Sequence, residues 1–178
     1  MTRYVALLYS IILGGGRRLS MAPLRDMFAQ LGYSGAETLL ATGNVIFESP
    51  EADPRAIEAR LETAFAERFG KPIEFIVRSE GDWLGLVERN PLPEASATSP
   101  AQVAVRVMRA PVSDDARALL EARVQPGESL RFVDGDIWIY IPEGISTSPL
   151  ASVMTNARIG VGTSRNWNTV RKIVERLG

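Results

Sequence analysis

The sequence contains no cysteine and no histidine. The first absence excludes a disulfide scaffold, a thiolate metal site, a redox pair and a cysteine nucleophile. The second removes the usual general base near neutral pH and the commonest metal ligand, so neither a Ser-His-Asp triad nor a histidine-held zinc can be built. Lysine is scarce as well. Lys71 and Lys172 are the only two, which leaves few candidates for a Schiff base. Any catalysis would have to rest on carboxylates, Lys, Tyr, Arg or a metal held by oxygen ligands. Whether the chain is an enzyme stays open, and no cofactor and no metal site are expected. Long hydrophobic runs are also missing. The run from Tyr4 to Leu13 is too short to span a bilayer and is interrupted by Tyr9 and Ser10. It lacks the small-residue pattern of a cleavable leader and reads as a buried strand. No membrane partner is expected, and the cytoplasm is the expected location.

What is present is ordinary globular material. With 46% apolar and 23% charged residues over 178 positions, the chain is too apolar for disorder and long enough for one domain or two small ones. The net charge of −1 hides an asymmetry. Residues 1–25 carry Arg3, Arg17, Arg18 and Arg25 without an acid, and residues 156–178 carry five cations against Glu175. Either the basic ends pair with the acidic middle, or they meet and form an anion site.

Patterning yields an order of elements. Residues 3–13 suit a central strand covered on both faces. Gly14, Gly15 and Gly16 break the chain, Ser20 is a suitable N-cap, and Leu24, Met27, Phe28 and Leu31 recur at helical spacing. Gly43-Asn44 between two apolar runs signals a hairpin. Asp53-Pro54 opens a helix that Gly70 ends, and Ile73–Val77 is a strand. This is the β-α-β-β-α-β order of a split βαβ unit. In the second half, Ser79 and Asp82 suggest a capping box, and residues 90–100 read as a loop. Val103, Val105 and Val107 mark a half-buried strand. A helix follows Ser113, and Asp134-Gly135 is a strong hairpin signal. Another helix starts at Ser148-Pro149. The last helix begins near Thr163 or Ser164, with Trp167, Val170, Val174 and Leu177 on its buried face. The expected fold is α+β: two ferredoxin-like subdomains of the βαββαβ type, residues 1–80 and 81–178, the second preceded and followed by extra helices.

Several segments together carry a resemblance. They are Tyr4–Leu8 leading into Gly14-Gly15-Gly16-Arg17-Arg18-Leu19-Ser20-Met21, then Gly43-Asn44-Val45-Ile46-Phe47, and finally Gly162-Thr163-Ser164-Arg165-Asn166-Trp167-Asn168-Thr169-Val170. In this order they resemble the bacterial domain-of-unknown-function 1697 family over essentially the whole chain. The resemblance implies two α+β subdomains and no particular activity. The chain departs from the family pattern at three places. Tyr9 and Ile12 stand where the family usually has Arg and Asn, and Pro149 stands where it has Lys. Where those polar groups bind a ligand, the departures imply weaker, altered or lost binding.

The residues that remain to be explained are polar and basic. Gly14–Ser20 is either a loop shaped by its glycines or a turn whose N–H groups and arginines face an anion. It matches neither a Walker A nor a GxGxxG spacing. Thr163–Thr169 is either an N-cap network anchored by Trp167 or an outward polar site. Asp134 and Asp136 around Gly135 read as turn chemistry rather than a metal site. The expected function is binding of a phosphate-bearing ligand, a small molecule such as a nucleotide or a nucleic acid, between the two subdomains. The expected contacts are Arg17, Arg18, Asn44, Arg165, Asn166, Asn168 and Arg171. Two alternatives remain: a metal- or carboxylate-dependent nucleotide-processing enzyme, and a protein-interaction module that uses an exposed sheet edge.

Overall fold

The computed structural model describes residues 1–9, 16–40 and 43–178. The glycines at 14 and 15, the residues 10–13 expected to extend the first strand, and positions 41–42 of the first hairpin lie outside the described residues.

The chain divides into two units. Met1–Leu86 together with Lys172–Gly178 form one, and Val87–Arg171 form the other. The first contains β1 (Thr2–Leu8), α1 (Met21–Gln30), β2 (Ser34–Leu39), β3 (Asn44–Ser49), α2 (Pro54–Phe69) and β4 (Phe75–Ser79). Its antiparallel sheet has the order β2-β3-β1-β4, so the first strand is central, as its apolar run predicts. Tyr4, Ala6 and Leu8 join Val45, Phe47, Phe75 and Val77 on one face, packed with Phe28, Leu61 and Phe65 of the two helices. Val5 and Leu7, on the other face, are equally buried. α2 follows its local signals. Asp53 accepts from the Arg55 amide, Pro54 sits at the first helical position, and Gly70 ends the helix in the left-handed region.

β4 is an edge strand, and such a strand offers unpaired N–H groups to any passing chain. Two glutamates on α2 occupy them. Glu58 Oε1 accepts from the Val77 amide at 2.9 Å, and Glu62 Oε1 accepts from the Phe75 amide at 3.0 Å. One helical turn along α2 thus matches one two-residue repeat along β4. Glu58 is buried and also holds Arg55 at 2.7 Å. Removing it in Glu58→Ala leaves a buried amide without this acceptor and should cost about 1–3 kcal/mol. Urea unfolding checks this, and Glu58→Gln, which keeps a carbonyl acceptor, should recover most of the loss.

The boundary helix α3 (Glu80–Glu88) starts at the anticipated capping box, with the Asp82 amide donating to Ser79 Oγ at 3.1 Å. The second unit continues with α4 (Pro93–Thr98), β5 (Val103–Met108), α5 (Asp114–Glu121), β6 (Ser129–Val133), β7 (Asp136–Tyr140), α6 (Pro149–Val153), α7 (Asn156–Ile159), β8 (Gly162–Asn166) and the start of α8 (Trp167–Leu177). Its sheet order, β6-β7-β5-β8, repeats the first arrangement, again antiparallel throughout. Ala104, Met108, Ile137 and Ile139 meet Ala116, Leu120, Leu150 and Val153 in its core.

Four sequence expectations change here. The segment read as a loop at 90–100 contains α4, because Asn90 accepts from the Leu92 amide and donates to Ser96 Oγ, nucleating a turn. β5 is buried on both faces rather than half-buried, Arg106 included. The single helix after Ser148 is two short ones, α6 and α7. Finally, Gly162–Asn166 is a strand paired with β5, and the last helix begins at Trp167. Trp167 is consequently half-buried, not sealed in the core. Among the described residues, no helix is long and apolar enough to cross a membrane.

Candidate functional site

Four of the seven sequence-predicted contacts lie at the β8–α8 junction. Pairing with β5 forces Gly162–Asn166 into extended form, setting Ser164 opposite Arg106, Arg165 opposite Val105 and Thr163 opposite Val107. Alternation then turns Thr163 and Arg165 to one face. Val105 also faces Trp138 of β7, so Arg165 and Trp138 flank the same central valine. Arg165 is only 9% exposed. Its Nη1 donates to Thr163 Oγ1 at 2.9 Å and to the Ser164 carbonyl at 2.8 Å. Burial pushes its guanidinium down to about 10, because the charged form has lost hydration.

Asn166 is half-buried and accepts from the Thr169 amide at 3.0 Å. That is the bond of an N-cap, so the capping network foreseen for this block exists, shifted to Asn166. Trp167 lies 5.9 Å from Trp138, ring centre to ring centre. Asn168 and Arg171 are exposed, three residues apart and therefore neighbours on the helix surface. The first turn of α8 contains no acid. Arg165 stands two residues before the helix start, and Arg171 four residues into it. A helix N-terminus disfavours cations, so this charge arrangement suits an anion.

Arg17, Arg18 and Asn44 belong to the first unit. Arg17 and Arg18 are exposed, follow Gly16 at φ 73°, and precede α1, whose first turn is also free of acids. Ser20 occupies the N-cap position there without a side-chain capping bond. Asn44 differs from its expected role. It is fully buried and donates from Nδ2 to the Leu39 carbonyl at 3.0 Å, as the first residue of β3 opposite both Leu39 and Leu7. Its amide closes the hairpin instead of facing a ligand, and Gly43 at φ 77° makes the turn.

The two aspartates at the second hairpin have structural partners. Asp136 Oδ1 accepts from the Met108 amide at 2.8 Å, and Asp134 pairs with Arg89. Among the described residues, no group of three or more acidic, histidine or cysteine side chains could hold a metal ion.

Sequence reasoning missed Arg106. It lies on the core face of β5 and is 3% exposed. It donates from Nη2 to Asn156 Oδ1 at 2.6 Å and to the Gly160 carbonyl at 3.3 Å, and from Nη1 to the Met154 carbonyl at 3.3 Å. Asn156 Oδ1 also accepts from the Gly162 amide. The signal was there in the alternation. If Val103, Val105 and Val107 share one face, then Ala104, Arg106 and Met108 share the other.

The model of a family of proteins of unknown function, DUF1697, matches residues 1–138. The chain belongs to the DUF1697 family. The match ends ahead of the Gly162–Val170 block and of the β8–α8 junction. Likeness continues through that region in a solved structure, the conserved bacterial protein SP0830 from Streptococcus pneumoniae. It is 26% identical, covers 99% of both chains and superposes with a TM-score of 0.79. No curated protein matches this DUF1697 chain.

Proposed function

We propose that this DUF1697 protein binds a phosphate-bearing ligand, a nucleotide or a stretch of nucleic acid, at the β8–α8 junction. Arg165, Asn168 and Arg171 would supply the contacts, and Asn166 would hold the helix start that presents them. Arg17 and Arg18, ahead of α1, form a second basic segment of the same character. The observation that carries this reading is the placement of cations at an acid-free helix N-terminus. A bound phosphate would offset the helix dipole, the desolvated Arg165 and the exposed Arg171 together.

The test is a titration with ATP and with a short single-stranded oligonucleotide. Because Asn168 and Arg171 are exposed, Asn168→Asp with Arg171→Glu should leave the fold intact. Losing charge-assisted hydrogen bonds should weaken binding roughly tenfold or more. Added salt should weaken wild-type binding as well, since exposed charges are screened beyond about 10 Å at 0.1 M. Equal affinity of the double variant and the wild type for both probes would rule the junction out as the site.

A further inference from the structure

An edge strand turns the N–H and C=O groups of alternate residues away from its one neighbour. In the first unit both edges are protected. β4 is served by Glu58 and Glu62, and β2 has a break in register between Ser34 and Glu37. Glu37 is exposed there and pairs with Arg176 at 3.3 Å. β6, an edge of the second sheet, has none of these devices. Its Ser-Leu-Arg-Phe-Val pairs with β7 in unbroken register and contains no proline, glycine or lysine. Among the described residues, the one side chain bonded to its backbone is that of Arg131, whose Nη1 donates to the Leu130 carbonyl at 2.8 Å. Arg131 is exposed, so a partner strand can displace it.

A hollow lies on each face of this edge. On one face, Ser129, Arg131 and Tyr140 of the sheet and Leu92 and Pro93 at the start of α4 border about 620 Å³. On the other, Leu130 and Phe132, which pack against the core, join Val124 and Arg117 around about 340 Å³. Arg117 lies over the Phe132 ring, 4.8 Å from its centre. Arg131 borders both hollows. Successive side chains of a strand point to opposite faces, so a strand added at β6 would send its side chains into the two hollows in turn.

We propose that β6 accepts an extended peptide as a further strand of the second sheet, with an acidic residue opposite Arg131 and apolar residues on either side of it. Arg131 is the one charged residue of the strand, and an opposite charge directly across is the favourable cross-strand pair. The neighbours of that acid fall opposite Leu130 and Phe132 and enter the hollow they share with Val124. Glu94 of α4 and Glu121 of α5 belong to the other walls of the hollows, so acid is favoured at the one position and disfavoured beside it. A second copy of the chain fits worse. In a two-fold antiparallel pair, opposed residues share a face and so lie an even number of positions apart in sequence. Arg131 would then oppose Ser129, Arg131 or Val133 of the copy and never an acid.

The experiment is selection of phage-displayed random heptapeptides against the full chain, followed by synthesis of the enriched sequence. Enriched peptides should carry Asp or Glu between two apolar residues, and adding one should shift the backbone amide NMR signals of residues 129–133. Methylating alternate peptide amides, those that would donate to β6, should abolish binding, and methylating the others should not. Replacing the acid by lysine should weaken binding roughly threefold or more. Arg131→Glu, at an exposed position, should keep the circular dichroism spectrum and reverse that preference, and Arg131→Gln should remove it. The proposal is overturned if no peptide is enriched, if the bound peptide shifts amides elsewhere, or if both variants keep the preference for an acid. Light scattering tests the other occupant. A dimer of the chain alone whose formation shifts the β6 amides would assign the edge to a second copy and overturn the proposal as well. None of these outcomes bears on nucleotide binding at the β8–α8 junction.

Discussion

Arg106→Ala should destabilise the protein by about 2–5 kcal/mol, the scale of leaving one or two neutral acceptors without a donor together with the lost packing of a buried side chain. The side chain leaves the middle of a central strand and reaches three acceptors on the segment between α6 and β8: the Met154 carbonyl, Asn156 Oδ1 and the Gly160 carbonyl. Asn156 in turn accepts from the Gly162 amide, so a single guanidinium ties β5 to the turn that delivers β8. Met154 and Asn156 are half-buried and Gly160 is exposed, so after truncation the cost is about 1–3 kcal/mol for each acceptor that water does not reach. Arg106→Lys keeps the charge and loses the planar fork, so it should recover only part of the loss. Asn156→Ala should cost less, and the double variant should fall short of the sum, because both side chains serve one network. Urea unfolding of the four variants beside the wild type decides it. A loss below about 1 kcal/mol for Arg106→Ala would show that the segment is held by other contacts.

Gly135→Ala should cost about 3 kcal/mol, from two separable sources. The turn between β6 and β7 needs left-handed backbone at both central residues, Asp134 at φ 50° and Gly135 at φ 85°. A side chain in that region costs about 1–2 kcal/mol. The added methyl would also stand 2.8 Å from Pro111 Cα and 2.9 Å from Pro111 Cβ. Neither atom is the end of a flexible side chain, and the Gly135 carbonyl accepts from the adjacent Val112 amide, so the two segments cannot part freely. Gly127 provides the control. It has φ 86° and nothing within 4 Å of an added methyl, so Gly127→Ala carries backbone strain alone. The difference between the two unfolding free energies isolates the contact with Pro111. Equal losses would mean that the proline gives way.

Features whose cause lies within one turn of the backbone could be read directly from the residues. Asp53-Pro54 and Gly70 bound α2, Ser79 and Asp82 start α3, Ser113 caps α5, and Asp134-Gly135 makes a hairpin. In each case a side chain or a left-handed glycine supplies a local need, and no distant partner is required. The apolar run before Tyr9 likewise marks a strand covered on both faces, because burial on both sides demands apolar residues at every position.

β8 is the contrary case. Gly-Thr-Ser-Arg-Asn has no apolar alternation, and its polar side chains suit a helix start as well as a strand. What makes it a strand is the backbone of β5, more than fifty residues away in sequence. That pairing alone decides that Arg165 is a buried strand residue, that Asn166 is the helix cap and that Trp167 is half-exposed. The same holds for Asn44, whose amide serves Leu39 once β2 and β3 pair, and for Glu58, whose acceptor matters only because β4 is an edge. Residue type determined that these positions are polar. Whether a polar group faces solvent, a ligand or a distant strand was decided only when tertiary pairing supplied, or withheld, its partner.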